Sequence, residues 1–325
     1  MKKQSDFRAA FPALVKRNVT LFFKDKGTFF TSLITPIILL VLYATFLYDV
    51  YKSSFLTAFQ GMQIEEELLN GLVGGLLLSS LLAVSTVTVS FCANLFIVQD
   101  KITGARADFN VSPVKSPTLY FSYYTATLIN GLIISLVATL AGFVYLAFVG
   151  WYLSVLDILA LFLDVFLLTS FGTALSSLIC APLKSQGQLS AVGTIVSAGY
   201  GFICGAYMPI SQFSKGLQTV LSFFPGTYGT SLVRNHALSG VFLELENKKL
   251  PAEVITELKK LADCELQFFG ASVEVWQSYV VIIGAILLLI GGFIAYAVLS
   301  SRKKTKRENQ KGRGQVCVET QKLPK

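Results

Sequence analysis

Two long uncharged runs decide most of what this chain can become. Residues 71–98 contain no charged side chain, and neither do residues 116–156. Each exceeds the ~20 residues that a helix needs to cross hydrocarbon. Between them lies a compact segment, 99–117, reading QDKITGARADFNVSPVKSP, charged and marked by Gly and Pro. Two apolar spans pinning such a segment suit a docking surface, and they suit a plain connector equally.

Further runs of the same kind follow the first two. The spacing predicts six spans, near 29–47 (with Pro36 inside), 72–98, 120–149, 158–183, 189–210 and 276–299. A proline is tolerated in the first because neighbouring helices and Ser or Thr side chains can satisfy the freed carbonyl. Only 14% of residues are charged, where soluble domains carry about a quarter, and mean hydropathy is +0.62. The fold class is therefore an all-α polytopic membrane protein. No repeat of 20–50 residues is visible, so a single integral membrane domain is expected over 29–299.

Charge gives the orientation. Residues 1–28, the 99–117 loop, Lys184 and the tail after Ser300 together hold twenty Lys and Arg, against seven on the other side. Cytoplasmic loops carry the excess of basic residues, which puts both termini in the cytoplasm of a cell-membrane protein. The net charge of +8 thus reports topology and anionic lipid, because no basic, aromatic-interleaved soluble stretch could hold nucleic acid. The first 28 residues lack a continuous apolar core, which predicts an uncleaved first span.

Outside the spans three elements stand out. Phe7, Phe11, Leu14, Val15 and Phe22 share one helical face, with Arg8, Lys16 and Arg17 mostly off it. That pattern reads as an interfacial amphipathic helix or as a basic solvated leader. In the long external loop 211–275, Phe213, Leu217, Val220, Leu221 and Phe224 have helical spacing and end at Pro225, which suits a short helix on the outer leaflet. A second helix is expected from Pro251. The tail 300–325 is basic, poor in hydrophobics and expected to be disordered.

Candidates for chemistry are few. Cys92, Cys180, Cys204, Cys264 and Cys317 are scattered without a CxxC pair, which indicates neither a disulfide framework nor a metal site. No nucleophile–base constellation and no GxxxxGK[ST] motif occur, so no catalytic residue is assigned and any ATP energy must come from another subunit. The one histidine, His236, falls near the outer interface with no motif around it. Asp164, inside ILALFLDVFLLTSF, is the intramembrane oddity, since a carboxylate there costs about 2.5–3.5 kcal/mol. It is a polar contact in a substrate path, a proton site, or a carboxylate paired with a neighbouring helix. Gly193, Ser197, Gly201 and Gly205 recur every four residues and form either a helix-packing face or a contact with a second copy.

Two stretches carry a family resemblance. DKITGARADFNVSPVK is similar to the charged, Gly, then Ser-Pro-Val segment between spans two and three of ABC-2-type exporter permeases, matching at Asp100, Gly104, Pro113 and Val114. The usual glutamate is here Asp100. CGAYMPISQFSKGLQTVLSFFPGTYGTSLVR looks like the small-Gly, Pro, amphipathic helix, Pro, Tyr, Arg sequence after span five, with Gly205, Pro209, Pro225, Tyr228 and Arg234 in those places. The charged insert near 241–274 departs from the plain family connection.

The resemblance implies a permease subunit of an ATP-driven exporter, with ATP and Mg held by a partner ABC ATPase and none bound by this chain. It implies a coupling helix in the 99–117 loop that docks on that ATPase, through Asp100, Lys101, Gly104, Arg106, Asp108 and Phe109. A second permease chain, identical or related, completes the unit, and the substrate is an amphiphilic or hydrophobic molecule such as a drug, a peptide or a lipid-linked compound. Two other classes remain open on the residues alone. One is a proton-coupled secondary carrier using Asp164, although no inverted repeat supports it. The other is a non-transporting membrane sensor.

Overall fold

The computed structural model describes residues 7–59, 61–112 and 114–320, with side chains from 10 to 300 apart from those of 44 and 110. Pro113, together with the side chains of Phe7 and Arg8, lies outside the described residues.

The chain opens with helix α1 (Phe7–Lys24), which buries Leu14, Asn18 and Phe22 at four-residue spacing. That face lies against α7 (Ser116–Val149), so the amphipathic helix rests on the bundle. Asp25 caps the next helix, accepting from the Thr28 backbone N–H at 3.2 Å and from its hydroxyl at 2.9 Å. Helix α2 (Lys26–Leu42), a π-helical segment (Tyr43–Leu47) and α3 (Tyr48–Ala58) then run as one rod. The first span is therefore longer than hydropathy suggested. Past Leu47 the rod buries Tyr51, Phe55 and Ala58 on one face, while Asp49 and Lys52 lie outside that buried stripe.

Helix α4 (Glu66–Asn94) is the centre of the bundle, buried along nearly its whole length, and α5 (Phe96–Ile102) continues it after a break at Leu95. Around α4 pack α2, α7, α8 (Val155–Cys180) and α11 (Pro225–Asn247). A capping box starts α8, with Ser154 and Asp157 bonding reciprocally across the first turn. The short α6 (Ala105–Val111) occupies the loop between α5 and α7. Among the described residues the two largest of four apolar clusters sit at opposite ends of the bundle. One lies at the α6 end around Phe22, Phe91, Ile97, Tyr120 and Phe293. The other lies at the opposite end around Tyr51, Phe55, Leu72, Leu238 and Leu258.

Among the described residues, five helical segments are long and apolar enough to cross a membrane: Lys26–Ala58, Glu66–Ile102, Ser116–Val149, Val155–Cys180 and Val275–Ser300. The fifth stretch expected to span becomes α9 (Gln186–Ile203), which is shorter and more polar than these five. After α9 a turn leads into α10 (Lys215–Leu221), the short helix anticipated before Pro225. Pro225 then begins α11, a 23-residue helix within the stretch expected to be an external loop. Its apolar and small residues follow no single face, since it is enclosed on several sides and buries Tyr228, Leu232, Ala237 and Leu245.

Helix α12 (Ala252–Leu261) starts after Pro251 as anticipated. A two-stranded hairpin, β1 (Leu266–Phe268) with β2 (Ala271–Val273), precedes the last helix. Helix α13 (Val275–Thr320) carries the last span and continues through most of the basic tail, where composition suggested disorder. Lys, Arg, Glu and Gln are good helix formers and extend a helix already nucleated by the span.

Close packing comes from glycines that let neighbouring backbone approach. A Cβ on Gly240 of α11 would sit 1.7 Å from the Tyr152 carbonyl oxygen, and one on Gly75 of α4 would sit 2.9 Å from that of Ala237. Gly240→Ala is expected to lower the melting temperature of the detergent-purified protein, through the roughly 1–3 kcal/mol that overpacking costs. Gly187→Ala, where an added Cβ meets nothing within 4 Å, serves as the control and should not lower it, since Ala favours a helix over Gly.

Candidate functional site

The segment between α4 and α7 is built around a buried carboxylate. Asp100, on α5, is 5% exposed and receives both arms of the Arg17 guanidinium from α1, at 2.7 and 2.9 Å. The Tyr123 hydroxyl of α7 donates to the same carboxylate. Such a fork is strong and geometrically strict. It fastens the N-terminal helix, the end of the second span and the start of the third into one unit. Arg17 also lies over the Phe109 ring, 5.1 Å from its centre.

Most residues assigned to docking therefore turn toward their own chain. Asp100 is buried in the fork. Lys101 donates to the carbonyls of Ala181 and Leu183 at 2.5 and 2.8 Å, closing the C-terminal end of α8 where carbonyls lack partners. Arg106 stacks on Tyr120 at 4.6 Å, and Phe109 packs half-buried on the core. Gly104 and Asp108 face outward. Gly104 joins α5 to α6 with φ +86°, a left-handed turn that a side chain would strain. Beside them Ile102 and Val111 are 40% and 79% exposed. These two apolar side chains are not among the residues expected to dock. The signal for them was an apolar residue at each end of a charged loop.

A second buried pair holds the turn after α9. Arg234 of α11, 1% exposed, meets Asp263 at 2.8 Å and donates to the Gly205 carbonyl at 2.6 Å and the Ser80 hydroxyl at 3.3 Å. Asp263 also accepts from the backbone N–H groups of Ser211, at 3.0 Å, and Ile210. Tyr43 donates to the Ala206 carbonyl at 3.2 Å. Arg234 was singled out by its place in a motif. Asp263 was not, because nothing in its local sequence distinguishes it from the other acids of the 241–274 insert. Pro209 precedes a short 3₁₀ turn, Ile210–Gln212, and Pro225 starts α11.

The four-residue stripe on α9 divides. Gly193 has open space before it and Ser197 is exposed. Gly201 is covered by the Tyr207 ring, and Gly205 adopts φ +76° in the turn. The stripe is thus not one packing face within this chain. Its open half borders a cavity of about 890 Å³ between α2 and α9, lined by Ile34, Ile38, Phe46 and Leu189 with Ser190 and Thr194.

Asp164 is buried on α8 and paired with other helices. His236 Nδ1 of α11 lies 2.6 Å from one carboxylate oxygen, and the Tyr279 hydroxyl of α13 donates to the other at 2.8 Å. His236, read from sequence as isolated, owes its partner to a fold that brings together residues 72 positions apart. Among the described residues no group of three or more His, Cys, Asp or Glu could hold a metal ion.

Apolar helices crossing a bilayer, tied by buried ion pairs, define a multi-pass, membrane-embedded helical protein. A sequence profile of the ABC-2 family transporter proteins matches residues 51–302. That match covers well over half of the chain, so the protein belongs to this family of ABC transporter permeases, the membrane components of transport. No curated protein matches the chain.

Asp263→Ala strands Arg234 as a buried cation. It is expected to cost about 3–5 kcal/mol of stability, read as a lower melting temperature in detergent. The double variant Arg234→Met/Asp263→Leu should recover much of that loss, because apolar residues often replace a buried pair without penalty. Equal losses in both would assign the stability to the hydrogen bonds of 205–211 instead.

Proposed function

We propose that this chain is the permease of an ATP-driven exporter, moving an amphiphilic or hydrophobic molecule out across the cell membrane. One observation carries the reading: α6 and its flanks expose Ile102, Asp108 and Val111 while the fork at Asp100 fixes the loop rigidly to α1 and α7. A rigid loop with an exposed apolar and charged rim suits force transmission. A partner ABC ATPase, holding ATP and Mg, docks on that rim, and its closure moves α1, α5 and α7 as a body. The ATP-bound state must favour one membrane conformation by its differential affinity, or nothing moves.

The basic excess on the α6 side supports cytoplasmic termini. An even number of crossings then requires α9 as the sixth. Its 18 residues reach about 27 Å, close to the ~30 Å of hydrocarbon. Its glutamines, glycines and hydroxyls lower its hydropathy, and Gln186, Ser190, Thr194 and Ser197 line the cavity shared with α2. That cavity, apolar with a few hydroxyls, suits an amphiphile. Its open edge at Gly193 and Ser197 suits a second permease chain, identical or related. Under this orientation α11, α12 and the hairpin lie on the outer side.

The test separates the rim from the fork. Ile102→Ser/Val111→Ser is expected to leave expression and melting temperature intact while abolishing co-purification of the ATPase and ATP-dependent transport. Retained ATPase binding and export in that variant would overturn the docking assignment. The pairing of Asp164 with a histidine keeps one rival reading, a proton-coupled carrier. That reading requires uptake driven by a pH gradient in proteoliposomes that contain no ATPase.

A further inference from the structure

Three helices that are distant in sequence meet at one ionisable cluster. Asp164 of α8 has no exposed side-chain surface, and the facing His236 side chain is 19% exposed. The histidine thus keeps some open surface while the carboxylate is fully enclosed. Tyr279 of α13 closes the other side of the carboxylate. On the same edge of α11, Ser239 donates to Asp157 of α8.

The charged side chains that act most strongly on His236 are acidic. From α8 it faces Asp164 and, farther off, Asp157; from α13 it faces Tyr279, with the rings 6.2 Å apart. The other helices that pack on α11 address Arg234 instead. Ser80 of α4 and Asp263, just after α12, both bond to that arginine. A carboxylate within hydrogen-bond reach favours the charged imidazolium. Burial works against the proton on His236, but the bond to Asp164 and the charges of Asp164 and Asp157 outweigh it and raise its affinity.

We propose that Asp164, His236 and Tyr279 form a proton-binding latch that fastens α11 to α8 and α13 when His236 is protonated. Loss of the proton leaves a carboxylate buried without its counter-charge, a state that costs several kcal/mol unless the site opens to water. The latch therefore holds below the ordinary histidine range, about 6.5, and weakens as pH rises through the docked value. Its ligand is a proton arriving from the face on which α11 ends. That this face is the outer one rests on the orientation proposed above; the latch itself does not depend on it. With outer exposure, alkaline surroundings would free α11 and, through Arg234, loosen the turn after α9.

His236 is the only histidine in the chain, which makes the test direct. The purified protein, carrying a tag without histidine and labelled with ¹⁵N-histidine, is titrated by NMR in detergent. Hydrogen–deuterium exchange of α11 is followed over the same pH range and corrected for intrinsic exchange. The imidazole is expected to titrate above the ordinary histidine value. Protection of α11 should fall as pH rises through that point, by about tenfold for each pKa unit separating the docked and free histidine. Asp164→Asn should return the titration to the ordinary range and flatten the pH dependence of α11, and His236→Gln should flatten it too.

A wild-type imidazole that titrates at or below the ordinary value, or α11 protection that ignores pH, overturns the latch. The wild-type measurements stand even if a variant fails to fold. None of them involves the ATPase, so failure of the exporter reading would show separately, as loss of partner binding and export.

Discussion

A carboxylate taken out of water must find a cation or a hydroxyl, and three buried aspartates organise this bundle. Asp100 draws Arg17 and Tyr123 together and so joins α1, α5 and α7. Asp263 meets Arg234 and two backbone N–H groups, pinning the turn after α9 against α11. Asp164 gathers His236 and Tyr279 and ties α11 to α8 and α13. Removing one partner from such a pair costs far more than forming it returned. The pairs therefore fix which helices belong together, while apolar burial provides most of the stabilisation.

Between these ties the helices approach through small residues. In lipid, helix association depends on packing and hydrogen bonds, because the tails are as apolar as the side chains. Gly75 and Gly71 of α4, Gly172 of α8 and Gly240 of α11 all stand where a Cβ would collide. Helix α4 is enclosed by this means. The outer helices α2, α7 and α13 keep side chains such as Ile37, Val137 and Leu288 on the surface, as lipid contact demands. The chain thus has a rigid interior and two peripheral regions: the α6 rim, and the α9 face beside the cavity.

Legibility followed the range of the interaction. Long apolar runs marked the spans to within a turn at most ends. Pro225 and Pro251 marked helix starts because proline fits the first turn and obstructs the interior. Helix α11 escaped because it is enclosed on several sides and shows no single apolar stripe. The 99–117 loop was legible as a unit, but the direction of its side chains was not: Asp100 and Lys101 pair within the chain, and Ile102 and Val111 are its outward apolar residues. The stripe on α9 was regular in sequence, but a ring folded back from Tyr207 covers half of it.

By itself the sequence determined what hydropathy and local geometry control. It made the protein helical, multi-pass and membrane-embedded, because uncharged runs of this length have no other stable state in or near a bilayer. Its motifs around Gly104 and Arg234 pointed to the family. Tertiary structure alone decided the partners of Arg17, Asp100, Asp164, His236 and Asp263. The ion pairs among them join residues 29 to 83 positions apart, and Tyr123 and Tyr279 lie 23 and 115 positions from their aspartates. Pairing over such distances depends on which helix faces meet, and that follows from packing the whole bundle rather than from any local pattern.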